Sequence, residues 1–301
     1  MIQCAEGDVK WFERRDSFGR LLPRMTSSLS ETPRQPMAPA VNWSATGEIL
    51  DDLPSWVSSL AATGARTASA RRPIDAARGS DITALSRDAF RVALEQLDAA
   101  PCRVWAFLPR PTDHDGDEFE RYMRFNAGRS EAYRALGGVV KVVPAGTCVG
   151  HAGTDLVVHV LATDQPFSPV ENPRQRPAWN YSRRFGPTPP TFVRATRTPA
   201  LLLASGTASV VGEESLHLED IDAQFEETLA NLASLSDAGG GDGRWRSVQI
   251  YVRDAAHLDR IQALATEAFG DGLERVLHAP LCRRELLVEI EGVCNVAKPH
   301  A

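Results

Sequence analysis

A carboxylate interrupts an apolar segment near the C-terminal end of the sequence. Residues 281–292 read LCRRELLVEIEG, and strand alternation puts Leu287, Glu289 and Glu291 on one face. The opposite face, which begins at Leu286, is wholly apolar. If protein covers the first face, Glu289 lies in a low-dielectric site, where a carboxyl is held protonated or paired. A carboxylic acid that is neutral near pH 7 can deliver a proton to a poor base.

Two alternatives for this segment stay open from the residues alone. The strand could lie at a sheet edge with Glu289 in water, which is the commoner environment of a glutamate. Cys282, seven residues earlier, could be a reactive thiol, although a lone cysteine is more often a small core residue. The covered strand is the arrangement that makes Glu289 a candidate general acid.

The composition is that of a globular protein without a strong charge bias. The chain has 301 residues, of which 43% are hydrophobic and 24% charged, and a formal net charge of −6. This length allows one large domain or two of ordinary size. Nearly all basic residues are arginines, and no basic stripe is interleaved with aromatic residues, which argues against a nucleic-acid partner.

Metal and cofactor motifs are absent from the sequence. His217, His257 and His278 are scattered, and the five cysteines form no CxxC pair and no zinc-type spacing. P-loop, GxGxxG and GxSxG motifs are also missing. We therefore expect no metal and no cofactor, and reduced thiols in a cytoplasmic protein. No apolar run approaches the length of a membrane span, so we expect no membrane partner.

The C-terminal part has the clearest secondary-structure pattern. Its predicted elements, in chain order, are strands at 192–197 and 200–211, a helix at 219–235, a strand at 245–253, a helix at 254–269, and strands at 274–279 and 285–291. That order predicts an α+β layer with helices on one face of a mixed sheet. The earlier strand–helix–strand segment over 102–163 is compatible with a degenerate copy of the same unit.

Three regions are predicted from these patterns. Residues 1–45 form a loosely ordered arm rich in Ser, Pro and Arg, residues 46–165 a smaller α/β domain, and residues 166–301 the C-terminal domain. Weak structure is predicted up to about residue 85, because Ala, Ser and Arg alternate over Arg66–Arg72 without an apolar face. Residues 167–190 hold six prolines and are predicted to form an extended loop.

Three polar segments could contribute to a site. The small residues of Ser205–Ser209 suit close approach by a ligand or a backbone, and equally a strand beside a crossing helix. The loop 171–187 is rich in aromatic residues and in arginines suited to carboxylates, although a solvated connector is the alternative. Gly128, within a helix predicted at 116–136, indicates close packing with Arg129 directed inward; otherwise Arg129 is a surface charge.

Several segments together carry a family resemblance. SGTASVVG (205–212) resembles the YjgF/RidA superfamily, whose members build sites in clefts lined by such strands. ENPRQRPAWNYSRRFGPTPPTFVRAT (171–196), RYMRFNAGR (121–129) and LCRRELLVEIEG (281–292) together resemble the chorismatase family. This second likeness covers roughly residues 100–295, and its combined motifs are far more specific than any single one.

The resemblance implies a RidA-like C-terminal domain and an enzyme that removes the enolpyruvyl group of chorismate, releasing pyruvate. One branch of the family adds water and yields a dihydroxycyclohexadiene carboxylate, and another yields 3-hydroxybenzoate. Glu289 matches the family's catalytic acid, which protonates the enol ether methylene. Cys282 matches the cysteine linked with 3-hydroxybenzoate, whereas Ala195 lies where the family varies between Ala and Gly. The two positions together give a mixed product signal.

The resemblance also implies cations that grip the two substrate carboxylates through paired hydrogen bonds. Arg194 and Arg129 are the candidates, and Arg174 and Tyr181 are candidate wall residues. The expected partner is therefore a small molecule, chorismate or a close relative. The protein is expected to be a monomer or, as in RidA proteins, a homotrimer.

Three positions depart from the family pattern. Phe185 replaces Tyr, Thr188 replaces Arg, and Glu213 stands where His is common. Loss of a carboxylate-binding Arg at 188 would weaken binding by roughly 1.5–3 kcal/mol. Two further functions therefore stay open. One is a RidA-type imine deaminase, for which Arg275 lies out of register, and the other is a non-catalytic binding protein on the same fold.

Overall fold

Two β-sheets lie face to face between two layers of helices. The computed structural model describes residues 53–75, 80–138 and 140–297, all of which belong to one compact unit, Ala38–Ala301. The predicted arm at 1–45 lies outside the described residues. Three hydrophobic clusters fill the spaces between helices and first sheet, between the two sheets, and between second sheet and helices. The predicted α+β class is therefore confirmed.

The N-terminal half forms a four-stranded sheet covered by two helices. Its elements are α1 (Ser55–Ser59), β1 (Arg66–Pro73), α2 (Ile82–Glu95), β2 (Ala100–Phe107), α3 (Arg121–Ala135), β3 (Ala145–Val149) and β4 (Asp155–Thr163). The strand order is β1-β4-β2-β3, in which β2 and β3 are parallel and the other pairs antiparallel. The near-continuous apolar run of β4 is typical of a strand buried on both faces. Val158 faces the helices and Val157 faces the second sheet.

β1 contradicts the prediction that Arg66–Arg72 is weakly structured. It pairs antiparallel with β4 over its whole length. Ala68 and Ala70 are buried in the cluster that includes α2, while Arg71 and Arg72 form ion pairs with acidic side chains. The two alanines are the apolar face of this edge strand, and their small side chains hide the alternation from a sequence pattern.

The C-terminal half forms a seven-stranded mixed sheet. Its elements are β5 (Ser168–Val170), β6 (Ala195–Arg197), β7 (Leu201–Ala204), β8 (Thr207–Ala208), β9 (Val210–Val211), β10 (Glu214–Ser215), α4 (Ile221–Gly239), β11 (Gly241–Val252), α5 (Leu258–Phe269), β12 (Leu273–His278) and β13 (Val288–Val296). The order is β12-β11-β13-β7-β6-β5, with β8 also paired to β13; β9 and β10 form a separate pair. β11 and β12 are parallel, the other pairs antiparallel, and α4 and α5 pack on one face, as predicted.

Two predicted strands have different bounds in the structure. The strand predicted at 200–211 is divided into β7, β8 and β9, because Gly206 turns its N–H to the hydroxyl of Thr147, 2.9 Å away. The strand predicted at 285–291 begins only at Val288, after a turn in which Leu286 N–H donates to the Arg283 carbonyl. Leu286 therefore lies in the cluster between the sheets and not on the face of Val288, as the alternation had predicted.

The predicted boundary between residues 46–165 and 166–301 falls between the two sheets. β4 ends at Thr163 and β5 begins at Ser168, and an isolated parallel bridge joins Ala145 to Val193 across the halves. Since both halves belong to one compact unit, the division stays a prediction. None of the helices in the described ranges is long and apolar enough to cross a membrane.

Candidate active site

A pocket of ≈ 640 Å³, including the space open to solvent at its mouth, lies beside two irregular segments. One is residues 281–287, and the other is the proline-rich loop between β5 and β6, residues 171–194. Glu289, Cys282, Arg194 and Tyr181 all line it, so the structure brings four of the predicted site residues together. Most of the remaining wall is aromatic or aliphatic and includes Tyr122, Met123, Phe185, Pro190, Phe192 and Leu286. A mainly apolar cavity with a few convergent polar groups is the usual form of a small-molecule site.

Glu289, the predicted acid, lies on the pocket wall and is buried. Its side chain is 5% exposed, on a central strand whose backbone pairs with Tyr251 of β11 and Ala208 of β8. The alternative of an edge strand with Glu289 in water is therefore wrong. Burial raises the pKa of Glu289 to about 8; the negative charge of Glu291 also raises it, and Arg103, Arg283 and Arg194 act in the opposite direction.

Gly206 makes room for this carboxyl. A Cβ atom at position 206 would lie 1.9 Å from Glu289 Oε1, which is far inside any real contact. A group does approach Ser205–Ser209 closely, but it is the Glu289 side chain; approach by a ligand stays a prediction. Gly206 also donates its N–H to Thr147 of β3, so its position relative to the N-terminal sheet is defined.

Glu291, two residues further along β13, lies deeper between the sheets and accepts four hydrogen bonds. The Arg103 guanidinium and the Thr147 hydroxyl donate to Oε2, while Trp105 Nε1 and Tyr251 Oη donate to Oε1 at 3.1 and 2.9 Å. The Arg103–Glu291 ion pair joins β2 of the first sheet to β13 of the second. It is buried, so its stabilisation depends on these extra hydrogen bonds.

Arg194 points into the pocket from the end of the proline-rich loop. Its Nη2 donates to Tyr181 Oη at 2.6 Å and to the Arg176 carbonyl at 2.9 Å. Its buried Nε finds no hydrogen-bond partner among the described residues. A guanidinium held by two neutral acceptors, with further N–H groups unmatched, is suited to an incoming carboxylate.

Arg283 is a second pocket cation, and it was missed in the sequence analysis. Its guanidinium lies 4.0 Å from the ring centre of Phe185 and 5.2 Å from that of Tyr181, and Nη1 donates to the Glu213 carbonyl at 2.9 Å. The available signal was its position directly after Cys282 in the LCRRELL motif. It was overlooked because a strand was predicted just after this segment, where the chain in fact turns.

Cys282 contributes a neutral thiol to the pocket wall. Burial raises its pKa to about 12, and the nearby Glu289 charge acts in the same direction. The thiolate form, which is the nucleophile, is therefore scarce near neutral pH.

Three predicted site residues lie outside the pocket lining. Ala195 faces the α4 side of the sheet, in the core. Arg174 is paired with Glu227 and Asn231 of α4. Arg129 is 3% exposed and stacks on Phe192, 5.8 Å from its ring centre.

Two of the family departures have a structural account. Phe185 lines the pocket and stacks under Arg283. Glu213 accepts hydrogen bonds from Ser182 N–H at 2.9 Å and from the Arg176 side chain at 3.2 Å, so it fixes the loop that carries Tyr181. Thr188 is partly buried outside the pocket lining, and nothing in the structure explains its replacement of Arg.

Comparison with known proteins identifies relatives of this chain. A family model described as chorismatase FkbO/Hyg5-like, N-terminal, matches residues 64–162. A 3-hydroxybenzoate synthase from Streptomyces hygroscopicus is 32% identical over 235 residues, which are 70% of this chain and 69% of that protein. A chorismatase from Streptomyces rapamycinicus is 32% identical over 209 residues, 64% of this chain and 63% of its own.

A solved structure supports the same assignment at the level of the fold. The crystal structure of a chorismatase superposes with a TM-score of 0.68 at 26% identity, covering 76% of this chain and 74% of that one. The match extends over both sheets, since neither half alone makes up three quarters of the chain. The chain therefore belongs to the chorismatase family and is an enzyme of the chorismatase type.

Proposed function

We propose that the protein removes the enolpyruvyl group of chorismate, releasing pyruvate with 3-hydroxybenzoate or with a dihydroxycyclohexadiene carboxylate. The observation that carries this proposal is Glu289, a buried carboxyl in a pocket with two cationic side chains. Its pKa of about 8 means that most molecules hold the proton at pH 7. A vinyl ether carbon is a poor base, and an acid that is neutral at working pH is what its protonation needs.

In the proposed first step, Glu289 donates its proton to the methylene carbon of the enol ether. The carbon–carbon π electrons form the new C–H bond, and positive charge develops on the ether carbon and oxygen as an oxocarbenium centre. The carboxylate left on Glu289 lies beside that centre and stabilises it in a site with little water. Arg283 and Arg194 lower the cost of ionising Glu289 at this moment.

The two substrate carboxylates match the two pocket cations. Arg194 has unmatched N–H groups, and Arg283 lines the same pocket in contact with the ring of Phe185. Tyr181 orients Arg194 by accepting its hydrogen bond. We propose that Arg129 and Arg174 act from behind the wall, Arg129 by supporting Phe192 and Arg174 by anchoring the loop to α4.

The product depends on what happens after protonation. Formation of 3-hydroxybenzoate and pyruvate from chorismate needs no added atoms, whereas the diene acid requires one water. The neutral Cys282 thiol on the pocket wall supports the first outcome as a small, weakly polar group that keeps water away from the ring. Ala195 lies in the core behind the wall, so its methyl group acts on the pocket only indirectly. We therefore propose 3-hydroxybenzoate as the main product.

The two other functions have less support. Arg275, the cation considered for an imine deaminase, lies on β12, and β11 separates that strand from the Glu289 strand. A non-catalytic binding protein was favoured only by the departures at 185, 188 and 213, two of which line or support the pocket.

We further propose that the protein acts as a monomer and is located in the cytoplasm. Pocket residues come from α3, the proline-rich loop and β13 of one chain, so no partner chain is needed to complete the wall. The four cysteines in the described part of the chain carry free thiols, which suits a reducing compartment.

Incubation with chorismate and assay of pyruvate and aromatic products would test the proposal. Wild type should release pyruvate in step with 3-hydroxybenzoate. Glu289→Gln keeps the shape but has no transferable proton, so its rate should fall by about 10²–10⁴-fold. Glu131→Gln makes the same change on the far helix α3 surface and should leave the rate unchanged. No pyruvate from wild type would overturn the function, and a Glu289→Gln rate above roughly a tenth of wild type would exclude the acid role.

A further inference from the structure

Glu291 takes no part in the chemistry proposed so far, yet its carboxylate lies between the two sheets and accepts four hydrogen bonds. It is 2% exposed and lies outside the wall of the ≈ 640 Å³ pocket. Glu289 and Glu291 are two residues apart on β13 and lie on the same face, so their α-carbons are ~7 Å apart. Both side chains are buried, so the low dielectric of their surroundings strengthens the electrostatic interaction between them.

The four donors to Glu291 restrict the movement of its carboxylate group. Arg103 and Thr147 come from the first sheet, Tyr251 comes from β11, and Trp105 lies beside Arg103 on β2. Cation and hydroxyl donors of this kind bind the ionised form of a carboxylate. A negative charge is therefore fixed behind Glu289 before any substrate arrives.

Thr147 connects this charge to the place where Glu289 lies. Its hydroxyl donates to Glu291 and accepts the N–H of Gly206 at 2.9 Å. Gly206 in turn is the residue against which the Glu289 carboxyl rests. The same hydrogen-bonded group thus fixes the position of both carboxyls.

We propose that Glu291 is a positioning residue: held by Arg103 and Thr147, it keeps the Glu289 carboxyl in its protonated form so that a proton is available for the substrate. This role rests on the proposed function of Glu289 as the acid. The N-terminal sheet then has a part in the reaction, because it supplies three of the four donors that hold Glu291.

Several other charged or titratable groups surround Glu289 and its pocket. The charged or titratable side chains that face it or its pocket are Arg103 (β2), Glu120 (before α3), Tyr122 (α3), Cys148 (β3), Tyr181 and Arg194 (between β5 and β6), Tyr251 (β11), Cys282 and Arg283 (before β13) and Glu291 (β13). Burial raises the pKa values of Tyr122, Cys148, Tyr251 and Cys282, so these four are neutral near pH 7. Of the two carboxylates in this set, Glu291 is the one whose negative charge raises the pKa of Glu289, while Arg103, Arg283 and Arg194 act in the opposite direction.

Glu291→Gln is the direct test. It removes the fixed charge and leaves Arg103 unopposed, and both changes favour an ionised Glu289. The high-pH limb of the kcat/KM profile should therefore move down by about one pH unit or more. Infrared titration of the carboxyl band that disappears in Glu289→Gln should show the same shift and requires no substrate.

Two further variants keep the test interpretable. Removing one partner of a buried ion pair is strongly destabilising, whereas replacing both is often tolerated. The double variant Arg103→Met with Glu291→Gln should therefore fold. It should still move the high-pH limb of the kcat/KM profile to lower pH, because the Glu291 charge acts on Glu289 more strongly than the Arg103 charge does. Glu227→Gln breaks another buried Arg–Glu pair, with Arg174, and should lower stability without moving the limb.

The outcomes separate this inference from the proposed function. A wild-type protein that releases no pyruvate overturns the function of the pocket, while the infrared titration still reports on Glu291. An infrared titration and a pH profile unchanged in both the single and the double Glu291 variants would overturn the positioning role. An equal shift in Glu227→Gln would also overturn it, since the effect would then follow from lost stability alone.

Discussion

The Glu289 carboxyl occupies the space that a side chain at position 206 would need. A Cβ atom there would lie 1.9 Å from Oε1 and 2.8 Å from the carboxyl carbon. Gly206 does not have a positive φ angle, so the requirement is for space and not for an unusual backbone conformation. The glycine and the acid therefore form a matched pair, one on the turn before β8 and the other on β13.

Gly206→Ala should consequently damage the reaction far more than the fold. The added methyl group displaces the carboxyl or rotates it, so kcat should fall at least tenfold. Complete loss of the general acid would lower kcat by about 10²-fold or more. Steady-state kinetics with chorismate would measure this. Gly138→Ala, where nothing lies within 4 Å of the added atom, is the matched control and should have little effect. A Gly206→Ala enzyme with normal kcat would mean that the carboxyl position is not critical.

Protein stability should depend on pH through Glu289. Its folded pKa of about 8 lies above the ordinary value of 4.5, so the folded state holds the proton more tightly than the unfolded state. The stability linked to this proton is present below pH 4.5 and is lost as the pH rises towards 8. Relative to wild type, Glu289→Gln should become more stable over this window by up to ~1.4 kcal/mol per pH unit. Urea unfolding at several pH values would check the slope, and parallel curves for the two proteins would contradict it.

Arg194→Lys should weaken substrate binding although it keeps the charge. Lysine cannot form two parallel hydrogen bonds to a carboxylate, and it would also lose the Nη2 contacts with Tyr181 and the Arg176 carbonyl. We expect KM for chorismate to rise about tenfold or more. Arg197→Lys, an exposed position further along β6, is the control. If KM is unchanged in Arg194→Lys, Arg194 is not a binding residue.

Cys282→Ala should change the product or stop the reaction. The thiol lies on the same wall as Glu289, and its removal enlarges the space in which water can reach the ring. Wild type should give mainly 3-hydroxybenzoate, and the variant should divert flux to the dihydroxycyclohexadiene carboxylate. A shape change of this size is usually worth about 1–3 kcal/mol in discrimination. Chromatography of both reactions would show the ratio; a wild type that makes only the diene acid would reduce Cys282 to a core residue.

The fold was predictable where periodicity is strong and uncertain where side chains are small. α4, α5 and β11 appear close to their predicted bounds because each buries an apolar face against one cluster. β1 was missed because Ala68 and Ala70 form its apolar face. Strand pairing decides such cases, and a single sequence does not reveal which partner an alanine-rich edge strand will have.

The sequence predicted the acidic residue of the candidate site better than its cationic residues. Glu289 is conspicuous because a carboxylate within an apolar strand has few explanations. Arg283 was not recognised, since its role depends on the turn before β13 and on stacking with Phe185, a contact distant in sequence. Arg129 and Arg174 lie near the pocket but behind its wall, which only the packing of Phe192 and α4 determines.

The ion pair between Arg103 and Glu291 also limits how this gene can change. A crossover between two relatives near residue 165 would combine a carboxylate inherited from one parent with donors inherited from the other. Such a hybrid stays functional only if positions 103, 147 and 291 carry compatible residues, because their effects on stability are not additive. We therefore expect a mutation at one of these positions to require a compensating mutation at another.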